Sequence, residues 1–154
     1  MTTYVLIAFL LGVIAGLRSL TAPAAVSWAA ALGWIHLENT PFAFLGYAAT
    51  PYICSLLAIG ELITDQLPKT PSRKSPPGFI ARIATGALCG GAIGAAGGSL
   101  VAGLIAGVVG AIVGTLGGYE ARVRLARAVG NDLPIALLED VIAIGGAFLA
   151  LSRL

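Results

Sequence analysis

Charge is what this sequence has least of. Only 10% of its 154 residues are Asp, Glu, Lys or Arg, against 58% hydrophobic. A soluble domain carries about 25% charged residues. With mean hydropathy +0.95, the chain has too few polar side chains to cover a water-facing surface, which places it in a bilayer. Histidine is nearly absent, with His36 alone, and the two cysteines, Cys54 and Cys89, each sit in an apolar segment. That excludes a disulfide framework and a cysteine metal site, both of which need more thiols at closer spacing. The cysteines read as small core residues and His36 as a loop residue. There is no Ser-His or Cys-His arrangement and no phosphate loop, so an enzyme is not expected and no cofactor is implied. A net charge of +2 is too small for nucleic-acid binding.

Apolar segments are what remains. Residues 4–17, "YVLIAFLLGVIAGL", end at Arg18. Fourteen residues of helix rise about 21 Å, short of a hydrocarbon core of about 30 Å. The charge follows the apolar run instead of preceding it, so a cleaved signal peptide is not expected. Residues 19–35 are uncharged but weakly hydrophobic, with Pro23, Trp28 and Trp34. They span, re-enter or lie at the interface. Residues 43–67 read as one long helix. "PKTPSRKSPPGF" (68–79) holds four prolines and three positive charges and reads as a loop. Residues 83–118 run 36 positions without a charge, enough for two spans with a turn near 96–99. "YEARVRLARAVGND" (119–132) is too charged to cross and reads as an interfacial segment. Residues 133–152 form the last span. The expected fold is an all-α polytopic transmembrane bundle of about five to six spans, forming one domain, 1–154.

Positive charge predicts the topology. Lys69, Arg73, Lys74 and Arg82 bracket one loop, and Arg122, Arg124 and Arg127 occupy another. Two spans separate them, so both face the cytoplasm. The expected location is the cytoplasmic (inner) membrane, with multiple passes. The lipid bilayer is the first partner.

Glycine recurs every fourth residue at Gly86, Gly90 and Gly94, at Gly103 and Gly107, and at Gly110, Gly114 and Gly118. Such stripes let helix backbones approach closely. They serve packing inside the chain, a homodimer through the Gly-rich helices, or a close approach to a ligand. An internal repeat is also visible. "LIAFLLGVIAG" (6–16) matches "LIAGVVGAIVG" (104–114) at Leu, Ile, Ala, Gly, Ile and Gly. An arginine and then a carboxylate pair follow each copy. This suggests inverted repeat halves, 1–68 and 98–154, linked by a helix over 80–97. Transporters of that design bind substrate at the repeat interface.

Carboxylates at helix ends are the chain's main chemistry. Glu61 and Asp65 lie four residues apart, on one helix face, and Glu139 and Asp140 lie a turn or two into the last span. A charge in lipid at the bilayer centre costs about 2.5–3.5 kcal/mol, so these side chains must face one another, a polar cavity or cations. Three arrangements answer that. The acids snorkel or pair structurally with arginine. They converge on a site for a cation, proton or amine. Or Arg18 and Arg122 recognise an anion with the acids as counter-charges. The candidate binding residues are Glu61, Asp65, Glu139, Asp140, Arg18 and Arg122. Glu61 and Glu139 are expected to approach each other near the cytoplasmic end.

"GLRSLTAP" (16–23), "GELITDQLP" (60–68) and "NDLPIALLEDVIAI" (131–144) together resemble an uncharacterised family of small bacterial integral membrane proteins, a domain of unknown function. Its pattern is Gly-Leu-Arg-Ala, then a helix with Glu and Asp-Lys before proline, then Asn-Pro and a Glu-Asp pair. Here Ser19 replaces the Ala, Gln66 the Lys, and "NDLP" the Asn-Pro. The resemblance implies an integral membrane protein and marks Arg18, Glu61, Asp65, Glu139 and Asp140 as motif positions; it implies no activity. The expected function is a small transporter-like or channel-like protein handling a cation or small polar solute. The alternative is a scaffold or accessory subunit whose ion pairs are structural.

Overall fold

The computed structural model describes residues 1–67, 72 and 74–154. Pro68, Lys69, Thr70, Pro71 and Arg73, which belong to the basic loop read from the sequence, lie outside the described residues. Among the described residues six α-helices follow in order: α1 (Thr2–Leu17), α2 (Thr21–Ala31), α3 (Thr50–Thr64), α4 (Pro76–Ala96), α5 (Leu100–Val129) and α6 (Leu133–Leu151). A 3-10 turn, Ala43–Gly46, precedes α3. Among the described residues there is no strand.

Local chemistry sets these boundaries. Pro51, Pro76–Pro77 and Pro134 each stand in the first turn of their helices, where the missing N–H costs nothing. Gly98 (φ 78°) turns the chain between α4 and α5, and Gly130 (φ 76°) ends α5 in the left-handed conformation. Two expectations change. The helix read over 43–67 begins only at Thr50, because Gly46 and Pro51 interrupt it. The charged segment 119–132 is a continuation of α5, not a separate interfacial piece. It holds no helix breaker before Gly130, and the Arg124–Glu120 pair at 2.8 Å braces it one turn apart. The two repeat copies therefore differ in backbone: α1 breaks at Arg18, whereas α5 runs straight through Arg122.

Three helices, α4, α5 and α6, are long and apolar enough to cross a membrane. Helices α1 and α3, with 16 and 15 residues, are apolar but shorter. The outer surface is greasy: on α3, Tyr52, Ile53, Leu56, Leu57, Ile59 and Ile63 are all exposed, Leu56 by 70%. In water such a patch would drive aggregation; in lipid it is the solvent-facing surface.

Glycine builds the inner layer. A Cβ placed on Gly107 would sit inside the Gly86 carbonyl oxygen, and one on Gly90 would lie 2.7 Å from the Gly107 Cα. On the other face of α5, Gly110 and Gly114 meet the backbone of Phe9 and Val13 on α1, while Gly12 and Gly16 of α1 meet Gly107 and Ala111. Thus α5 lies between α1 and α4 with backbones in contact, and these glycine faces are occupied within a single chain. Gly60, Gly117 and Gly145 have nothing within 4 Å.

Helix α2 is the innermost element. Eight of its eleven residues are buried. It packs on α3, α6, α1 and α4. Trp28 Nε1 donates to Ser55 Oγ at 2.9 Å and its ring meets Tyr52 edge-on at 5.2 Å. Eleven residues rise about 17 Å, roughly half the hydrocarbon thickness. So 19–35 contains a short buried helix entered through a break at Arg18–Ser19–Leu20. Cys89 is fully buried, Cys54 is half-buried beside Ser27, and both are free thiols. His36 is exposed.

The glycine contacts predict a graded mutational response. Gly107→Ala and Gly114→Ala must push backbones apart and should lower the unfolding midpoint in detergent. Gly145→Ala, in open space, should be neutral or raise it, since alanine is favoured over glycine in a helix by about 1 kcal/mol. Equal effects at all three would remove the close approach as the reason for glycine.

Candidate functional site

The break between α1 and α2 creates the site. Arg18 is the residue after α1, with extended backbone (φ −140°, ψ 108°). Its side chain has no solvent exposure. A guanidinium in that position needs carboxylates and hydrogen bonds around it. Asp65, at the C-terminus of α3, takes a bond from Arg18 Nη1, and Asp140 on α6 pairs with Arg18 Nη2 at 2.5 Å. One arginine therefore ties together α1, α3 and α6. Gln66 Nε2 donates to Asp140 Oδ2 at 3.4 Å.

The non-helical backbone beside Arg18 leaves N–H groups that lipid cannot satisfy. Glu61 satisfies them. Its Oε1 accepts from Ser19 N at 2.8 Å and Ser19 Oγ at 2.6 Å, and its Oε2 accepts from Leu20 N at 2.7 Å. A carboxylate from α3 thus caps the N-terminus of α2, where the helix dipole also favours negative charge.

A second set lies alongside. Arg122 grips Asp132 through Nε at 2.9 Å and Nη2 at 2.6 Å, and its Nη1 is 3.5 Å from Glu139 Oε2. Arg82, the seventh residue of α4, is 6% exposed. Its Nη2 lies 3.8 Å from Asp65 and its Nη1 donates to the Gly78 carbonyl at 3.3 Å.

The six sequence-predicted residues thus divide. Arg18, Asp65 and Asp140 form one network. Arg122 and Glu139 form another, and Glu61 turns to Ser19 and Leu20. The four acids do not meet as a shared ligand sphere: among the described residues no group of three or more His, Cys, Asp or Glu side chains is placed to hold a metal ion. Arginine and backbone N–H groups supply the compensation instead. Arg82 and Asp132 were not among the sequence-predicted site residues. A usable signal for Arg82 was present: it is a charge placed seven residues into a helix that starts at Pro76 and is otherwise uncharged to Ala96.

Asp65 and Glu61 face a pocket of about 730 Å³. Its wall includes Ser19, Arg82, Tyr119, Arg122, Arg127 and Asp132. That volume suits a small ligand. The lining comes from helix ends: the end of α3, the start of α4, the last turns of α5 and the residue before α6. The chain matches no protein-family model, no curated protein and no solved structure.

Glu61 gives the sharpest test of this geometry. Glu61→Ala leaves the Ser19 and Leu20 amides unanswered and should destabilise the fold by about 2 kcal/mol or more. Glu38→Ala, at an exposed position, should have no measurable effect. Detergent unfolding of both variants checks this, and parity between them would contradict the capping role.

Proposed function

We propose that this chain is a small transporter-like protein of the cytoplasmic membrane that handles a small polar solute in the 730 Å³ pocket. One observation carries the reading: the pocket wall includes Asp65, the carboxylate bonded to the buried Arg18 that joins α1, α3 and α6. A solute that competes for Asp65 weakens the tie between α3 and the other two helices. Ligand binding is thereby coupled to helix position, which alternating access requires. The short helix α2, entered through a break at the same point, supports the reading, since discontinuous helices accompany intramembrane binding sites. The resemblance to small bacterial membrane proteins is consistent with it. Basic residues around the pocket support a mouth on the cytoplasmic side, by the positive-inside bias.

Within the expectation of a cation or a polar solute, the geometry favours the solute. Each carboxylate already has an arginine or N–H partner, and a bare cation would have to displace them. The same observation favours a second reading, a non-transporting scaffold in which the ion pairs only hold helices together.

Proteoliposome swelling separates the two. Vesicles holding the protein should admit at least one solute from a panel of small zwitterionic, anionic and cationic compounds faster than protein-free vesicles. Asp65→Asn should slow that entry roughly tenfold, the effect of losing about 1.4 kcal/mol of interaction. Equal permeation with and without protein across the panel would leave the scaffold reading.

A further inference from the structure

We infer that a solute leaves the pocket along the seam between α2 and α3, and that α3 is the helix that moves to open this route. The inference rests on the transport reading above and adds a path to it.

The seam begins in the pocket wall. Ser19, Glu61 and Asp65 line the pocket, and Glu61 joins the two helices there through Ser19 and Leu20. On α3, Cys54, Ala58, Glu61 and Asp65 recur at steps of three and four and share one face. On α2, Thr21, Ala24 and Trp28 do the same. The two faces meet again away from the pocket. Ser27 Oγ lies 3.7 Å from Cys54 Sγ, and Trp28 Nε1 donates to Ser55 Oγ at 2.9 Å. Cys54 precedes Glu61 by seven residues, about 10 Å of helix. Small and polar side chains thus continue from the pocket into the apolar part of the bundle.

Hydrogen-bonding capacity is left over on this seam. Thr21 is 6% exposed, and its Oγ1 finds no hydrogen-bond partner among the described residues. Ser27 has no exposure, and its hydroxyl is directed at the Cys54 thiol, a weak acceptor. The buried hydroxyl of Thr115 is different: it donates to the Ala111 carbonyl at 2.8 Å. Burying a hydroxyl without a full partner costs stability. A polar solute passing along the seam supplies that partner.

Helix α3 is also lightly packed. Of its 15 residues only Pro51 and Ala58 are buried, and it packs on α2 and the 3-10 turn. By contrast, α1, α4 and α5 have their backbones in contact and cannot part without losing it. At the pocket end α3 is held through Asp65 and Glu61. Asp65 is the group for which a bound solute competes, so occupancy of the pocket loosens the helix that borders the seam.

The chain carries its own probes. Cys54 stands on the seam; Cys89, on α4, has no exposure. The full-length protein in vesicles is treated with methanethiosulfonate ethyltrimethylammonium, a permanent cation, and the modified thiols are read by mass. Such an ion does not cross hydrocarbon, so it reaches Cys54 only through an opened seam. Cys54 should be modified and Cys89 spared. Entry of the fastest solute of the panel above should then fall to the level of protein-free vesicles, and Cys54→Ser should keep its entry under the reagent. A second variant guards against distortion by the adduct. In Ser27→Cys, diamide takes two hydrogens from the thiols at positions 27 and 54 and joins them. Entry should stop, and dithiothreitol should restore it. Cys54 left unmodified in vesicles that admit solute overturns the inference. So does entry undiminished by the adduct or by the disulfide. Either result leaves the transport reading standing. Absence of solute entry in untreated vesicles instead sinks the transport reading, and the route with it.

Discussion

A guanidinium sealed from solvent inside a hydrocarbon-facing protein constrains everything near it. The charge of Arg18 must be balanced where it lies. The balance comes from two helices distant in sequence, through Asp65 and Asp140. That requirement holds the end of α3 and the second turn of α6 against the end of α1. It also explains why the chain breaks at Arg18: the side chain that follows α1 is directed into the bundle, and the freed amides are returned to bonding by Glu61. The pocket is the outer consequence of the same arrangement, because Glu61 and Asp65 form part of its wall.

The glycine stripes make this network attainable. With backbones touching along α1, α5 and α4, the helices leave little room for side chains between them, and α2 packs in the interior against α3, α6, α1 and α4. Apolar packing between helices gains little over packing against lipid. Close backbone contact and buried ion pairs therefore carry a larger share of fold specificity than in a water-soluble core. The exposed leucines and isoleucines of α3 are the complement: they need no partner because lipid serves as one.

Much of this was legible in the sequence. The apolar runs located α1 and α6 closely, since a span of hydrophobic residues between charges leaves few alternatives, whereas α4 begins at Pro76, inside the stretch read as a loop, and α5 runs on to Val129. The turn near Gly98 followed from Gly-Gly-Ser between two uncharged runs. Arg18, Glu61, Asp65, Glu139, Asp140 and Arg122 stood out because an intramembrane charge demands an explanation. What the sequence did not reveal was pairing. Nothing local in "GELITD" says that Glu61 would cap a helix some forty residues earlier while Asp65, one turn on, bonds Arg18. Both depend on the tertiary approach of α3 to the break. The continuation of α5 past Tyr119 was missed for a different reason: charge content argued against a span, but it does not argue against a helix. The start of α3 was missed because composition is apolar on both sides of Pro51.

The central claim is that Arg18 and Asp140 act as one unit. A double-mutant cycle with Arg18→Met and Asp140→Leu, read by unfolding in detergent, tests it most directly. Each single change strands a buried charge and should cost about 3–5 kcal/mol. The double variant removes both charges and should recover a large part of that loss, giving a coupling of about 2 kcal/mol. Losses that add to within about 0.5 kcal/mol would show that the two side chains are independent, and would contradict the account.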